Sequence, residues 1–368
     1  MSQATKDQRN SASSDEKQDV THLVEHLFRH QSAQVVSTLT RYFGVDNLDL
    51  IEDVVQETLL KALKQWVFGG VPKNPAGWLL QTAKNQAIDV LRRRSAFRTK
   101  QKQLADHIEH ATPEMDEAVH LNHELEDDQL RMMFTCCHPV LSREARVALT
   151  LKILCGFSVV EIARAFLTQE ATIAQRLVRA KRKIREDNLF LTFPEFELSN
   201  ERLDSVLEVL YLFFNEGYKA HQGEDLIRQD LCYEAIRLTS LLAAHPKGDL
   251  PKVHALLALM LLQGTRLPTR LDSDGNLLLL KEQDRSKWDR DMIQLGLHHL
   301  EKSASGEFLS EYHLQAGIAA CHATASDYDS TDWHRILTYY DELIRLSHSP
   351  VVALNRAVAL SMVDGPEA

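Results

Sequence analysis

The chain has 368 residues, 44% of them hydrophobic, and a formal net charge of −10. That length suits two or three domains with buried cores, and the composition excludes wholesale disorder or a fibrous repeat. No apolar run approaches the roughly 18–20 residues of a membrane span. Five cysteines scattered from Cys136 to Cys321 make no disulfide framework, so a reducing cytoplasm is the expected location.

The charge is sorted along the chain. Residues 190–368 hold 16 Lys+Arg against 27 Asp+Glu. Residues 84–102 hold seven Lys/Arg and one acid, residues 103–130 nine acids and no Lys/Arg, and residues 171–185 six Lys/Arg and no acid. Two basic segments joined by an acidic stretch are the footprint of two nucleic-acid-facing modules on a linker. Either run taken alone reads equally well as a solvated helix face.

Nearly every periodic segment has helical spacing and alternating strand patterns are scarce, so the predicted fold class is all-α. Residues 1–20 are polar and lack a signal-peptide core, and read as a flexible tail. A helical module follows at 21–100, an acidic linker at 101–125, a second helical module at 126–190 and a helical domain at 195–368. The first helix, from about residue 22, is apolar at Leu23, Leu27, Val35, Leu39 and Phe43.

The second helix, LDLIEDVVQETLLKALKQW, has a core stripe at Ile51, Val54, Val55, Leu59, Ala62, Leu63 and Trp66. Asp53, Gln56, Glu57, Leu60 and Lys64 share its outer face, where a Leu among acids and an amide suits partner docking as well as plain solvation. The third helix begins with Asn74 as its N-cap and Pro75 at its first position. Leu80, Ala83, Ala87 and Leu91 line one side of it; Gln81, Asn85, Asp89 and Arg92 line another. It runs out into Arg92, Arg93, Arg94 and Arg98, and amides with arginines on one face meet both phosphates and base edges. Phe68, Trp78 and Phe97 offer stacking surfaces for unpaired bases or, equally, core packing.

In the second module REARVALTLKIL is an amphipathic helix. After Gly156 comes a capping box of Ser158 and Glu161, then the short helix SVVEIARAF, the turn LTQ and the basic helix EATIAQRLVRAKRKIR. Its inner stripe is Ile173, Leu177, Ala180 and Ile184. Thr172, Gln175, Arg176, Arg179 and Lys183 project from the opposite side. This is the helix-turn-helix layout, whose second helix enters the major groove. Gln175 and Arg176 suit base edges; Arg179, Lys181, Arg182 and Lys183 suit phosphates. Such turns usually hold a glycine, and Leu167 stands there instead, so the cap of the reading helix is either Thr168 or Gln169.

Beyond residue 195 the segments again read as helices. The last, WHRILTYYDELIRLSHSPVVALNRAVALSM, splits at Ser347–Pro350 into a pair that fits a tetratricopeptide unit of about 34 residues. The excess of acid argues against this domain gripping DNA. It suits a cover for a basic face or a groove for a regulatory protein.

With both modules in view, the chain resembles the bacterial RNA polymerase sigma factors of the extracytoplasmic-function type. DVVQETLLKAL and NPAGWLLQTAKNQAIDVLRRR resemble sigma region 2, and residues 126–188 resemble region 4. FTCCHPVLSREARVALTLKILCGFSVVEIARAFLTQEATIAQRLVRAKRKIR and YLFFNEGYKAH resemble the subgroup with a tetratricopeptide-like C-terminal extension. The resemblance implies core RNA polymerase and promoter DNA as partners. It implies Asp53, Gln56, Glu57 and Leu60 at the polymerase interface, and Asn85, Asp89, Arg92 and Arg93 at the −10 element, with the Phe68–Lys73 loop near flipped bases. It implies Thr172, Gln175, Arg176 and Arg179 at the −35 element, with Lys181 and Lys183 on phosphates. No cofactor, metal or covalent chemistry is implied. The alternative is a stand-alone helix-turn-helix regulator with a protein-interaction domain.

Metal and enzyme chemistry find weaker footing. Cys136-Cys137-His138 lacks a second Cys/His pair at finger spacing. His22, Glu25 and His26 match a five-residue zinc-protease pattern with no third ligand to name. His298-His299 and the acids of KEQDRSKWDRD come without a nucleophile elbow or phosphate loop, and read as caps and surface ion pairs. Asn215-Glu216-Gly217-Tyr218 reads as a helix-end packing motif rather than a ligand site.

Overall fold

The computed structural model describes residues 30–96, 118–187, 189, 200–218, 225–272, 276–306, 308–347 and 349–365. The described residues are helical with no β-strand beyond one isolated bridge between Leu271 and Leu277. His22, Glu25, His26, Leu23, Leu27, Phe97 and Arg98 lie outside them. None of the described helices is long and apolar enough to cross a membrane. The chain divides into two units, residues 1–164 with 168–197, and residues 165–167 with 198–368.

In the first unit α1 covers 30–43, α2 Leu48–Gly69 and α3 Pro75–Ala96. Leu39, Ile51, Val54, Val55 and Ala62 are buried against Leu79, Ala83 and Ala87 of α3. The core register of α3 is thus set by Leu79, not Leu80, which is only partly buried. A 79, 83, 87 spacing keeps one residue per turn on the same line, whereas Leu80 starts off it. Leu63 is exposed, and the edge of Trp66 packs on Trp78 with centroids 5.5 Å apart. Gly70 closes α2 at φ 79°, a left-handed conformation that suits a residue without Cβ. At the start of α3 the Gly77 amide donates to Asn74 Oδ1 at 2.9 Å, and Pro75 takes the first helical position.

The chain then forms α4 (Ala118–Cys136), α5 (Arg143–Ile153), α6 (Val159–Ala165) and α7 (Glu170–Glu186). Helix α4 starts inside the stretch read from sequence as linker. Its C-terminal turns are anchored by buried Leu130, Met133 and Phe134. Arg41 of α1 pairs with the buried carboxylate of Asp128 at 2.8 Å.

The second unit begins with α8 (Asn200–Tyr218), α9 (Asp225–Ala244) and α10 (Pro251–Gly264). It continues with α11 (Arg290–Ser303), α12 (Glu311–Thr324), α13 (Trp333–Leu346) and α14 (Pro350–Asp364). Helix α10 is buried nearly all round, from Val253 to Gly264, which its uniformly apolar sequence requires. It packs on α9, α11 and α12, while α13 packs on α12 and α14. Between α10 and α11 the chain makes short 3-10 turns rather than a tight hairpin. Arg285 anchors that segment by donating Nη1 to the carbonyls of His322 and Ala325 at 2.7 and 2.9 Å.

Candidate nucleic-acid and polymerase interface

The expected residues fall on or beside three helices of the first unit, α2, α3 and α7. On α2, Asp53, Gln56, Glu57 and Leu60 are all exposed, and Leu60 keeps 57% of its surface in solvent. An exposed leucine flanked by carboxylates and an amide suits docking of a partner. Gln86 of α3 donates to the Glu57 carboxylate and accepts from Lys61 Nζ at 2.8 Å, so this face extends onto α3. Sequence spacing along one helix gave no sign of that bridge.

On α3, Asn85, Asp89, Arg92 and Arg93 are exposed. Gln81 donates to Asn85 Oδ1 at 3.0 Å, and Arg93 Nε donates to the Asp89 carbonyl at 3.2 Å. The row therefore offers amide and guanidinium groups held in place by local bonds. Lys73 is exposed just before α3. Phe68 lies in the last turn of α2, and its side chain is outside the described residues.

The helix-turn-helix forms as the capping box dictates. Ser158 N–H donates to Glu161 Oε2 at 2.7 Å, and Glu161 N–H donates to Ser158 Oγ at 3.2 Å. The turn places Leu167 at φ 49°, the left-handed region that explains why a glycine is usual there. Leu167 remains 84% exposed. Gln169 is the N-cap of α7, which settles the choice between Thr168 and Gln169. Ile173, Leu177, Ala180 and Ile184 are buried along the inner side.

On the other side Gln175 and Arg179 are exposed and Thr172 and Arg176 partly buried. Lys183 pairs with Asp187 at 3.0 Å, an i,i+4 contact on the surface. Lys181 is placed differently. Its ammonium contacts Asp49 Oδ1 at 2.7 Å and the carboxylate of Glu52, and its side chain is only 13% exposed. Arg185 reaches the other Asp49 oxygen at 3.1 Å. Burial raises the Asp49 carboxyl pKa, but the bonds and charges of Lys181 and Arg185 outweigh it and hold the group below its ordinary 3.8. Lys181 loses solvation, yet the two carboxylates hold its pKa above 10.5. In this arrangement Lys181 bridges the two modules and its charge is not directed outward. The acid partners Asp49 and Glu52 carried no signal in the sequence beyond membership of an amphipathic helix.

The set-aside chemistries also find their places. Cys136 and Cys137 are buried, and desolvation pushes the Cys136 thiol well above its ordinary pKa, which disfavours the thiolate a metal needs. His138 Nδ1 accepts the Val140 amide at 3.2 Å. Among the described residues no three His, Cys, Asp or Glu side chains gather as a metal site. Asp284 and Asp289 of the KEQDRSKWDRD stretch cap the turn and helix that follow them. His299 stacks on His254 with centroids 5.0 Å apart.

Three family models match the chain. Residues 27–97 match the model for Sigma-70 region 2, residues 131–184 the model for Sigma-70, region 4, and residues 202–304 a family of unknown function, DUF6596. An uncharacterised protein of Rhizobium meliloti (strain 1021) is 41% identical over 336 residues, 91% of this chain and 78% of that one. No solved structure matches the chain.

Proposed function

We propose, for a chain that belongs to the sigma-70-like sigma factors and so binds core RNA polymerase and the −10 and −35 promoter elements, that α2 makes the polymerase contact while α3 and α7 read DNA. The observation that carries this division of labour is the exposed row Asp53, Gln56, Glu57 and Leu60 on a helix whose opposite face is core. On α3, Asn85, Asp89, Arg92 and Arg93 meet the −10 element, with Phe68 and Lys73 beside it. On α7, Thr172, Gln175, Arg176 and Arg179 meet the −35 element, and Lys183 meets phosphate. Lys181 joins that set only when its contact with Asp49 and Glu52 opens. Sigma factors are non-enzymatic initiation factors; in this reading the chain supplies recognition and strand capture in the cytoplasm, and polymerase supplies catalysis. The extension is read as tetratricopeptide-like, since α13 and α14 form one helix pair around Pro350, and its acidic balance suits a regulatory protein as partner.

The test is reconstitution of the purified chain with core polymerase on a pool of genomic upstream fragments. Discrete start sites that require the chain, and vanish with the Asp53→Ala, Gln56→Ala double variant along with co-elution, support the α2 assignment. A double variant that still co-elutes and initiates overturns it.

A further inference from the structure

The C-terminal domain holds an open-sided cavity of about 850 Å³, lined by residues of α8, the end of α10, α12, α13 and the start of α14, with Arg266, Arg270, Leu277, Leu280 and Trp288 between α10 and α11. Most of its wall is apolar, and Leu262, Ile318, Leu343, Tyr340 and Trp288 are among the residues that line it. Mostly apolar cavities of about 300–1,000 Å³ with a few convergent polar groups are what small-molecule sites look like.

One end is cationic. The Arg270 guanidinium lies 4.0 Å from the Tyr218 ring centroid and donates to the Tyr218 carbonyl, while Arg266 lies 5.4 Å from the same ring. Burial is the main influence on Arg270 and its charged neighbour is Arg266; among the described residues neither arginine forms an ion pair with a carboxylate. Glu311 also lines the cavity.

Four residues of its lining, Tyr218, Gln263, Trp288 and His322, each carry a buried side-chain polar atom with no hydrogen-bond partner. Two arginines that form no ion pair with a carboxylate among the described residues, set in a largely apolar lining, suit a ligand that brings negative oxygens.

We propose that this cavity binds a small organic anion, its carboxylate or phosphate head held by Arg266 and Arg270 and its apolar body seated between Leu262, Ile318 and Leu343. The planar guanidinium forks suit either head group. All the residues involved lie between 211 and 355, so the proposal stands apart from the assignment of the polymerase and promoter contacts.

The experiment is calorimetric titration of the full-length chain with 2-naphthoate, octanoate and 2-naphthyl phosphate, and with 2-naphthamide as the neutral counterpart. Saturable one-to-one binding of at least one anion, at least tenfold tighter than the amide, is expected. Whether carboxylate or phosphate wins identifies the head group. Arg266→Gln weakens that binding at least tenfold without altering the circular dichroism spectrum; it is the informative variant because, among the described residues, Arg270 and not Arg266 donates to the backbone of α8. The proposal is overturned if no anion binds saturably, if the amide binds equally well, or if Arg266→Gln leaves the affinity unchanged.

Discussion

Lys181 of the reading helix and Asp49 of α2, 132 residues apart in sequence, are joined through Nζ and Oδ1 at 2.7 Å. Glu52 completes the contact, and its side chain is 12% exposed. The ammonium of Lys181, expected from the sequence to meet phosphate, is therefore satisfied by two carboxylates of α2.

Replacing Lys181 with Met keeps the aliphatic stem and removes the charge, leaving Glu52 partly buried without its cation. Breaking a buried pair from one side is more damaging than losing a surface pair, so the expected loss is about 1–3 kcal/mol, against under about 1 kcal/mol for Arg185→Ala. Urea unfolding of the full chain measures both. The Asp49 share depends on pH. Its folded pKa lies below 3.8, so its stabilisation is present above that value and is lost as pH falls through the folded pKa.

On the proposed roles, Gln175 of α7 reads a base and Arg179 contacts phosphate. Gln175→Ala is expected to cost about 1–3 kcal/mol at one promoter position and to relax preference there. Arg179→Ala is expected to weaken all sequences alike and to reduce the salt slope by about one. Holoenzyme binding to −35 variants across salt concentrations distinguishes the two outcomes. An Arg179 variant that changes base preference contradicts the assignment.

Leu167 occupies φ 49° while 84% exposed, so its side chain gives little packing in return for the backbone strain. Leu167→Gly is expected to stabilise the chain by about 0.5–1 kcal/mol, less than the full strain because glycine loses more freedom on folding. Thermal melting reads the shift, and a lower melting temperature contradicts it.

Two histidines make the C-terminal domain sensitive to acid. Burial lowers His322 to about 4, helped by Arg266 and Arg285, and burial with the neighbouring His254 lowers His299 to about 4. An unfolded histidine takes its proton near 6.5, so the unfolded state binds more protons between about 6.5 and 4. Stability is therefore full near pH 7 and declines as pH falls, by roughly 1–2 kcal/mol per histidine at pH 5 after allowing for exposure. Unfolding at pH 7, 6 and 5 measures the slope, and the His299→Gln, His322→Gln double variant should flatten it.

The sequence by itself determined what depends on residues within about four positions of one another. The Asn74 cap, the Ser158–Glu161 box and the buried Ile173, Leu177, Ala180 and Ile184 follow from helical periodicity and local hydrogen bonding. The outward rows on α2, α3 and α7 follow from the same spacing. Tertiary structure decided the rest. Helix α3 could bury Leu79 or Leu80 with nearly equal local cost, and only the shape of α2 opposite it chose Leu79. Lys181 looked identical to its neighbours on α7 until the fold set Asp49 and Glu52 beside it. The cavity draws on residues from Tyr211 to Asn355, a separation no periodic pattern encodes. Local periodicity reports the face a side chain occupies, whereas charge pairing and enclosure depend on groups brought together only when the long-range core closes.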